Sequence, residues 1–248
     1  MENYRALLVV DAEKFSAHRD AELVAVHLEI RRVLAAACAD SGLGEAWQNV
    51  RFMESTGDGI LTALPHESIP ALIDLFPRYL QDALAESART LRARGLRLRL
   101  RVALHVGLVD DEHPQAPGIS SAVIEISRLL DSDPLRDALA NSDVDVTFAA
   151  FLLSAELFST YVAGGRTRLR ESQFTEVGVR VKQYARPAYL FVPVPSESRV
   201  PERSPESHTA PAVSPPGAPS ISGIEIRGDG TQNAFGNVIS GDLRQERS

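Results

Sequence analysis

Hydrophobic and polar positions recur with two different periods along the chain. Residues 4–11 (YRALLVVD) form a short apolar run rich in β-branched side chains, which is typical of a buried strand. Apolar side chains then recur at helical spacing through residues 21–39, and Gly42 follows that pattern as a helix stop. Apolar residues alternate strictly over residues 96–109, which predicts a strand with one buried face.

The other segments complete a mixed order of strands and helices. Two strand-like runs within residues 48–64 flank Asp58-Gly59, and an Asp-Gly pair between apolar runs is a strong hairpin signal. Helical spacing predicts a second long helix over residues 70–96. The later segments predict two helical stretches at 120–140, a strand and a short helix at 144–163, and two strands at 174–194. This order predicts an α+β fold with a central, mostly antiparallel sheet flanked by helices.

Composition divides the chain into three parts. Residues 1–194 carry the periodic segments and are predicted to form one domain. Residues 195–220 are rich in Pro, Ser and Glu and have too few apolar side chains to fold, so we predict a flexible linker. Residues 221–248 combine Gly, Asn and Gln with spaced Ile, Val and Phe. That pattern predicts a disordered tail, and it is also similar to short bacterial amyloid signalling motifs, which would pair with a matching motif on a partner.

Charge and cysteine content exclude several classes of protein. The 248 residues are 44% hydrophobic, which is enough to bury a core, and the net charge of −7 argues against a nucleic-acid binder. Arginines and leucines alternate in the basic stretch 89–101, which favours a solvated face. A single cysteine, Cys38, excludes an intrachain disulfide and fits a reducing compartment. No apolar run reaches the roughly 18–20 residues of a membrane span. We therefore expect a cytoplasmic protein without a membrane or nucleic-acid partner.

Two carboxylates are candidates for cation binding. Asp11 ends the first predicted strand and Asp58 lies at the tip of the predicted hairpin, positions that converge when the two elements are neighbours in a sheet. Mg²⁺ is commonly held by one or two carboxylates together with substrate phosphates. The residues alone leave a second interpretation open, in which Asp11 caps the following helix and Asp58 serves the turn.

Five segments, in order over residues 4–192, resemble the motifs of class III adenylyl and guanylyl cyclases. They are two metal motifs at 11–16 (DAEKFS) and 55–59 (STGDG), a strand at 100–107 (LRVALHVG), an arginine-bearing helix at 126–130 (ISRLL) and a closing segment at 181–187 (VKQYARP). The resemblance implies a ferredoxin-like cyclase domain that converts a nucleoside triphosphate to a 3′,5′-cyclic nucleotide and pyrophosphate.

The resemblance also implies how a substrate would be held. Two Mg²⁺ or Mn²⁺ ions per active site would be bound by Asp11, Ala12 and Asp58, in a two-metal mechanism. The backbone of Phe15 and Ser16, placed at the start of the first helix, would contact phosphate oxygens.

Arg128 is the catalytic residue that the resemblance implies. It would neutralise charge at the α-phosphate, and it would act across a homodimer interface on substrate held by the partner's aspartates. Without the resemblance, Arg128 is better interpreted as a surface arginine on an amphipathic helix. His105, in the predicted strand, is interpreted as a packed residue rather than a catalyst. Four residues before Arg128, where these cyclases carry a ribose-orienting asparagine, the chain has Ile124, with Glu125 beside it.

Glu54 occupies the position at which these cyclases read the base. A carboxylate accepts hydrogen bonds from the N1–H and amine of guanine or from the N3–H of uracil, and it does not match N1 of adenine. The second base-reading position falls within residues 115–120, which contain no Asp or Cys. These departures resemble the stand-alone pyrimidine cyclases of bacterial Pycsar anti-phage systems, which signal to a separate effector. We therefore expect UTP as substrate, followed by GTP and CTP.

Two alternatives remain at this point. Glu54 as a guanine reader would make the chain a guanylyl cyclase. Ile124 in place of asparagine favours a catalytically degenerate, nucleotide-binding adaptor that recruits partners through its C-terminal motif. The presence of both Asp11 and Asp58 opposes the adaptor, because a non-catalytic fold has no need of two metal ligands.

Overall fold

Seven strands form one sheet in the computed structural model, which describes residues 2–198. They are β1 Asn3–Ala12, β2 Phe52–Ser55, β3 Gly59–Pro65, β4 Leu100–Val109, β5 Ala149–Ser154, β6 Thr175–Val181 and β7 Tyr184–Phe191. The spatial order is β2-β3-β1-β4-β5-β7-β6. Every neighbouring pair is antiparallel except β4 and β5, which are parallel and therefore need a long crossover connection. The predicted α+β fold with a mostly antiparallel sheet is confirmed.

Helices cover both faces of this sheet. They are α1 Asp20–Asp40, α2 Gly44–Gln48, α3 Ile69–Asp74, α4 Phe76–Ala93, α5 Ser121–Leu130, α6 Asp133–Ala140 and α7 Ala155–Leu157, which continues as a π-helical turn over Phe158–Ala163. The single helix predicted over residues 70–96 is wrong, because α3 ends before α4 begins at Phe76-Pro77. Proline has no N–H for a continuous helix and favours the first turn of a new one. None of the helices in the described residues is long and apolar enough to cross a membrane.

The interior strand β1 is buried on both faces. Leu8 and Val10 pack with α1 and α4, whereas Leu7 and Val9 pack with α5 and α6. A strand covered on both sides has a continuous apolar run instead of an alternating one, which explains the pattern of residues 4–11. Because side chains alternate along a strand, Asp11 follows Leu7 and Val9 onto the α5 face at the end of β1.

Gly59 begins β3 at the point where the backbone of β1 comes closest. It lies opposite Asp11 in the β1–β3 ladder, and a Cβ atom on it would be 1.9 Å from the carbonyl oxygen of Val10. A backbone atom cannot move away without shifting the ladder, so we expect Gly59→Ala to lower the free energy of unfolding by roughly 1–3 kcal/mol or more.

Urea unfolding of a matched pair tests this expectation. Gly178 also lies within a strand, β6, but a Cβ atom there would meet nothing within 4 Å. Gly178→Ala should leave the unfolding midpoint nearly unchanged while Gly59→Ala lowers it. Equal midpoints for the two variants would contradict the close approach at Gly59.

The chain continues to bond with the sheet domain just past its last strand. The Ser196 hydroxyl accepts a hydrogen bond from Asp143 N (2.9 Å), and Ser198 N donates to the carbonyl oxygen of Asn141 (2.8 Å). The rest of the predicted linker 195–220, and the whole predicted tail 221–248, lie outside the described residues.

Candidate functional site

The C-terminal end of β1 lies beside the hairpin turn, so the two aspartates predicted as cation ligands are near each other. Asp11 lies opposite Gly59 in the ladder, and Ala12 N donates to the carbonyl oxygen of Asp58 (2.9 Å). The charge of Asp58 is one of the causes that raise the pKa of Asp11. The hairpin turn therefore places Asp58 beside the strand end that carries Asp11.

Arg101 on β4 faces the same point from the other side of β1. It is the direct partner of Asp11 in the β1–β4 register, with Nε 2.8 Å from Oδ1 and Nη2 2.5 Å from Oδ2. The pair is bidentate, with two parallel N–H···O hydrogen bonds between the planar guanidinium and the planar carboxylate. Arg101 was not among the predicted site residues. The sequence signal that could have identified it is an arginine next to the apolar residues of the strand predicted over residues 96–109.

The electrostatics of Asp11 combine burial with neighbouring charges of both signs. Burial raises its pKa to about 6, Arg101 opposes that change, and the charges of Asp58 and Asp131 add to it. Carboxylate oxygens are the ligands that Mg²⁺ and Mn²⁺ prefer, so the donor set fits these ions. Among residues 2–198 no group of three or more His, Cys, Asp or Glu side chains is arranged around a common centre. Further ligands would thus come from backbone, water or substrate phosphate, as is common for Mg²⁺.

The raised pKa of Asp11 predicts how stability changes with pH. The folded state holds the Asp11 proton up to about pH 6, whereas the unfolded state releases it near 3.8. The free energy of unfolding should therefore decrease, on the order of 2–3 kcal/mol for this group, as pH rises from about 4 to about 6. Urea unfolding across this pH range measures the decrease, and Asp11→Asn should flatten it. An unchanged slope in that variant would assign the pH dependence to other groups.

Helix α1 supports the hairpin that carries Asp58. His27 Nδ1 donates to the carbonyl oxygen of Gly57 (3.1 Å), and His27 Nε2 accepts from Arg31 Nε (3.3 Å). Gly57 has φ of +91°, which favours glycine. His27 was not predicted from the sequence, because its partner Gly57 is 30 residues away.

Phe15 and Ser16 were predicted at the start of the first helix, and this prediction is wrong because they form a separate turn. They belong to a single 3₁₀ turn over Phe15–Ala17, and α1 begins only at Asp20. Lys14 precedes the turn with φ of +55°, and the His18 ring lies between two carbonyl oxygens, those of Phe15 (3.0 Å) and Arg97 (3.1 Å). The reversal at Lys14 and the anchored ring separate this turn from the helix.

Buried Arg99 connects Glu13, which precedes this turn, to the last turn of α6 and to the loop before β5. Its Nη1 is 3.1 Å from Glu13 Oε2, its Nε donates to the carbonyl oxygen of Thr147 (2.9 Å), and its Nη2 donates to that of Leu139 (2.6 Å). Burial lowers the pKa of Arg99, and the charge of Glu13 opposes that change. The loop after β1 is therefore held by a side chain that lies just before β4.

Glu54 is exposed on β2, beside a loop that packs against the same strand. Gly118, in the loop between β4 and α5, has φ of +79°, and a Cβ atom on it would be 2.4 Å from the ring of Phe52. Arg51 forms an ion pair with Glu112 in that loop. The structure therefore places the second predicted base-contacting segment against the strand that carries Glu54.

Arg128 lies in a groove between α5 and the β6–β7 turn. It is half-buried in the last turn of α5, where a groove of about 390 Å³ is lined by Ile124, Arg128, Lys182, Gln183 and Tyr184. Neither of the two aspartates lines it. In the described residues, Arg128 and the predicted metal ligands do not line a common groove.

His105 is buried, in agreement with its interpretation as a packed strand residue. Its Nε2 is 4.0 Å from Glu125 and its Nδ1 is 4.0 Å from Glu156, which in turn pairs with Arg186 (3.0 Å). Burial lowers the pKa of His105, so the ring is neutral near neutral pH. This polar group connects α5, α7 and β7 and contacts neither aspartate.

Known proteins give matches in structure and none in sequence. The sequence matches no protein-family profile and no curated protein. Among solved structures, the chain is similar to the guanylyl cyclase Cya2 (TM-score 0.54, 16% identity, 82% of this chain and 96% of that chain). It is also similar to the adenylyl cyclase CyaB from P. aeruginosa (TM-score 0.51, 14% identity, 79% of this chain and 97% of that chain). The described domain therefore has the fold of class III nucleotide cyclase catalytic domains.

Proposed function

We propose that the chain is a nucleotidyl cyclase, which converts a nucleoside triphosphate to a 3′,5′-cyclic nucleotide and pyrophosphate. The observation that carries the proposal is the register of β1 with β3, which sets Asp11 opposite Gly59 and so places Asp58 beside it. Two aspartates side by side, with one guanidinium paired to them, leave net negative charge at this strand end, which suits a divalent cation.

Asp11, Ala12 and Asp58 would hold two Mg²⁺ or Mn²⁺ ions in this site. The ions supply Lewis-acid activation of the ribose 3′-hydroxyl and charge stabilisation of the leaving pyrophosphate. Arg101 holds Asp11 in place, and its planar guanidinium suits phosphate oxygens as well as carboxylates. The turn at Phe15–Ala17 follows Asp11 closely in the chain and supplies backbone N–H groups for phosphate oxygens.

A homodimer would complete the active site. Arg128 and Lys182 give one groove two cationic side chains, which suit the phosphates of a nucleotide. Since that groove contains neither aspartate, the arrangement favours a site in which Arg128 of one protomer neutralises charge on the α-phosphate of substrate held by the aspartates of its partner.

The Glu54 carboxylate accepts hydrogen bonds, so it favours a substrate whose base presents an N–H group to it. The carboxylate is exposed on β2, and the loop packed on Phe52 provides a second wall. We favour UTP as the substrate, followed by GTP and CTP. The corresponding biological role is a cyclic pyrimidine signal, with cyclic UMP favoured, that acts on a separate effector protein in anti-phage defence.

Incubation of the purified chain with ATP, GTP, CTP and UTP in the presence of Mn²⁺ tests the proposal. Products are separated by chromatography and identified by mass, with Asp11→Ala as control. A cyclic nucleotide that disappears in the control supports the proposal and identifies the base; turnover of GTP alone would make the chain a guanylyl cyclase. No cyclic product from any of the four, with the protein folded and dimeric, would contradict it.

The second candidate function is a nucleotide-binding adaptor. Two observations favour it: both oxygens of Asp11 are occupied by Arg101, and Ile124 offers no hydrogen bond to a ribose. Calorimetry separates the two functions. An adaptor would bind a nucleoside triphosphate with similar affinity in the presence of Mn²⁺ or EDTA, whereas the cyclase site would need the cation.

A further inference from the structure

We propose that Gln183, in the turn between β6 and β7, positions the ribose of the substrate. This inference rests on the proposed cyclase function and adds a residue to it. The role requires a neutral group that both donates and accepts hydrogen bonds beside Arg128, because a ribose offers hydroxyl donors and an ether oxygen acceptor.

The two residues of α5 that line the groove, Ile124 and Arg128, do not provide such a group. Ile124 and Arg128 are four residues apart, one turn of helix, and therefore lie on the same side of α5. The Ile124 residue is 56% exposed, yet its side chain has no hydrogen-bonding atom. Glu125, the next residue, is held within 3.7 Å of Arg186 and within 4.0 Å of His105. A neutral side chain that binds the ribose beside Arg128 would therefore come from another element that lines the groove.

The β6–β7 turn faces α5 across the same groove. Val181 and Tyr184 form the last pair of the ladder, so Lys182 and Gln183 are the two residues of the turn. Lys182 has φ of +55°, which is unusual for a residue with a Cβ atom. Gln183 is exposed, lines the groove, and makes no hydrogen bond within the described part of the chain.

Among the residues that line the groove, Gln183 is the exposed one whose side chain both donates and accepts hydrogen bonds. Lys182 and Arg128 are cations that only donate hydrogen bonds. The Tyr184 hydroxyl also donates and accepts, but this residue is half-buried and the Arg186 guanidinium lies over its ring at 5.8 Å. The Gln183 carboxamide is thus the neutral, exposed donor and acceptor in the groove. We assign it the task of holding the ribose so that the 3′-oxygen is aligned with the α-phosphate.

Steady-state kinetics of Gln183→Ala with the triphosphate that the wild-type chain cyclises test this role. We expect kcat to fall about 10- to 100-fold with KM changed less than about threefold, because alignment matters most in the transition state. Gln183→Asn should keep part of the rate. Gln48→Ala is the matched control, since Gln48 is an exposed glutamine on α2, away from the groove, and this variant should retain the wild-type kcat.

A second-site variant provides the sharper readout. Ile124→Asn introduced into Gln183→Ala puts a carboxamide on α5 one turn before Arg128, and we expect it to restore kcat at least about tenfold. A wild-type kcat for Gln183→Ala, or a loss confined to KM, would overturn the role of Gln183 while leaving the cyclase function intact. A wild-type chain without any Asp11-dependent cyclic product would overturn the cyclase function and this inference with it.

Discussion

Asp58→Asn is expected to reduce cyclic nucleotide formation about a thousandfold, which corresponds to about 4 kcal/mol of lost transition-state stabilisation. The reason is the loss of one of the two carboxylates at the end of β1. Asn tolerates a tight turn nearly as well as Asp does, and the half-exposed Asp58 side chain contributes little to packing, so the fold should be retained. Initial rates at saturating Mn²⁺ and triphosphate measure the effect.

Thermal unfolding with and without Mn²⁺ checks that the loss arises from the cation. The ion should raise the melting temperature of the wild-type protein and leave that of Asp58→Asn unchanged. Asp131→Asn is the control, since Asp131 also raises the pKa of Asp11 but pairs with Arg136 (3.3 Å) and lies outside the proposed donor set. This variant should keep its activity. A fully active Asp58→Asn would remove the metal site from the proposal.

A mixture of two inactive variants should recover activity if the site is shared between protomers. Arg128→Ala alone is expected to lose about 100-fold or more of the rate, as when a donor to a developing oxyanion is removed. After Arg128→Ala and Asp58→Asn are unfolded together and refolded in equal amounts, half of the dimers are mixed. Each mixed dimer has one intact site of two, so about one quarter of the wild-type activity should return.

Two results would count against the shared site. One is a mixture no more active than the sum of its components, with mixed dimers present by mass. The other is Arg128→Ala at full activity. Arg136→Ala serves as the matched control for the loss of an arginine, because Arg136 is exposed on α6 and pairs only with acidic side chains around the start of that helix among the described residues.

Periodicity predicted the elements well where one property dominated the pattern. The doubly buried β1, the amphipathic α1 and the β2–β3 hairpin each follow from a local signal within the segment itself. The prediction of one helix over residues 70–96 is wrong at Leu75, again for a local reason. The apolar spacing of α3 continues into α4 across Phe76-Pro77, although the helical hydrogen bonds of the backbone do not. The predicted strand over 96–109 begins only at Leu100, since alternation of side chains does not show where backbone pairing starts.

The candidate site could be predicted only in part, for a physical reason. Asp11 and Asp58 end their own elements, so a local pattern finds them. Arg101 is 90 residues from Asp11, and its role depends on the register of β4 against β1, which alternation alone leaves undetermined. His27 likewise contacts the hairpin because of how α1 packs. Gln183 becomes a candidate only because it lines the same groove as Ile124, and the sequence does not show that α5 and the β6–β7 turn are neighbours.

The buried guanidinium of Arg99 has a consequence for the dynamics of the loop after β1. One side chain holds Glu13, the carbonyl end of α6 at Leu139, and Thr147 before β5. Glu13 lies far from the other two in the sequence, whereas Leu139 and Thr147 are close to each other. Opening any one of them breaks bonds at a buried charge, so the three segments open together as one cooperative unit. Their amide protons should exchange with deuterium at a common free energy, and the loop that leads to the Phe15–Ala17 turn then has the stability of the α6–β5 connection.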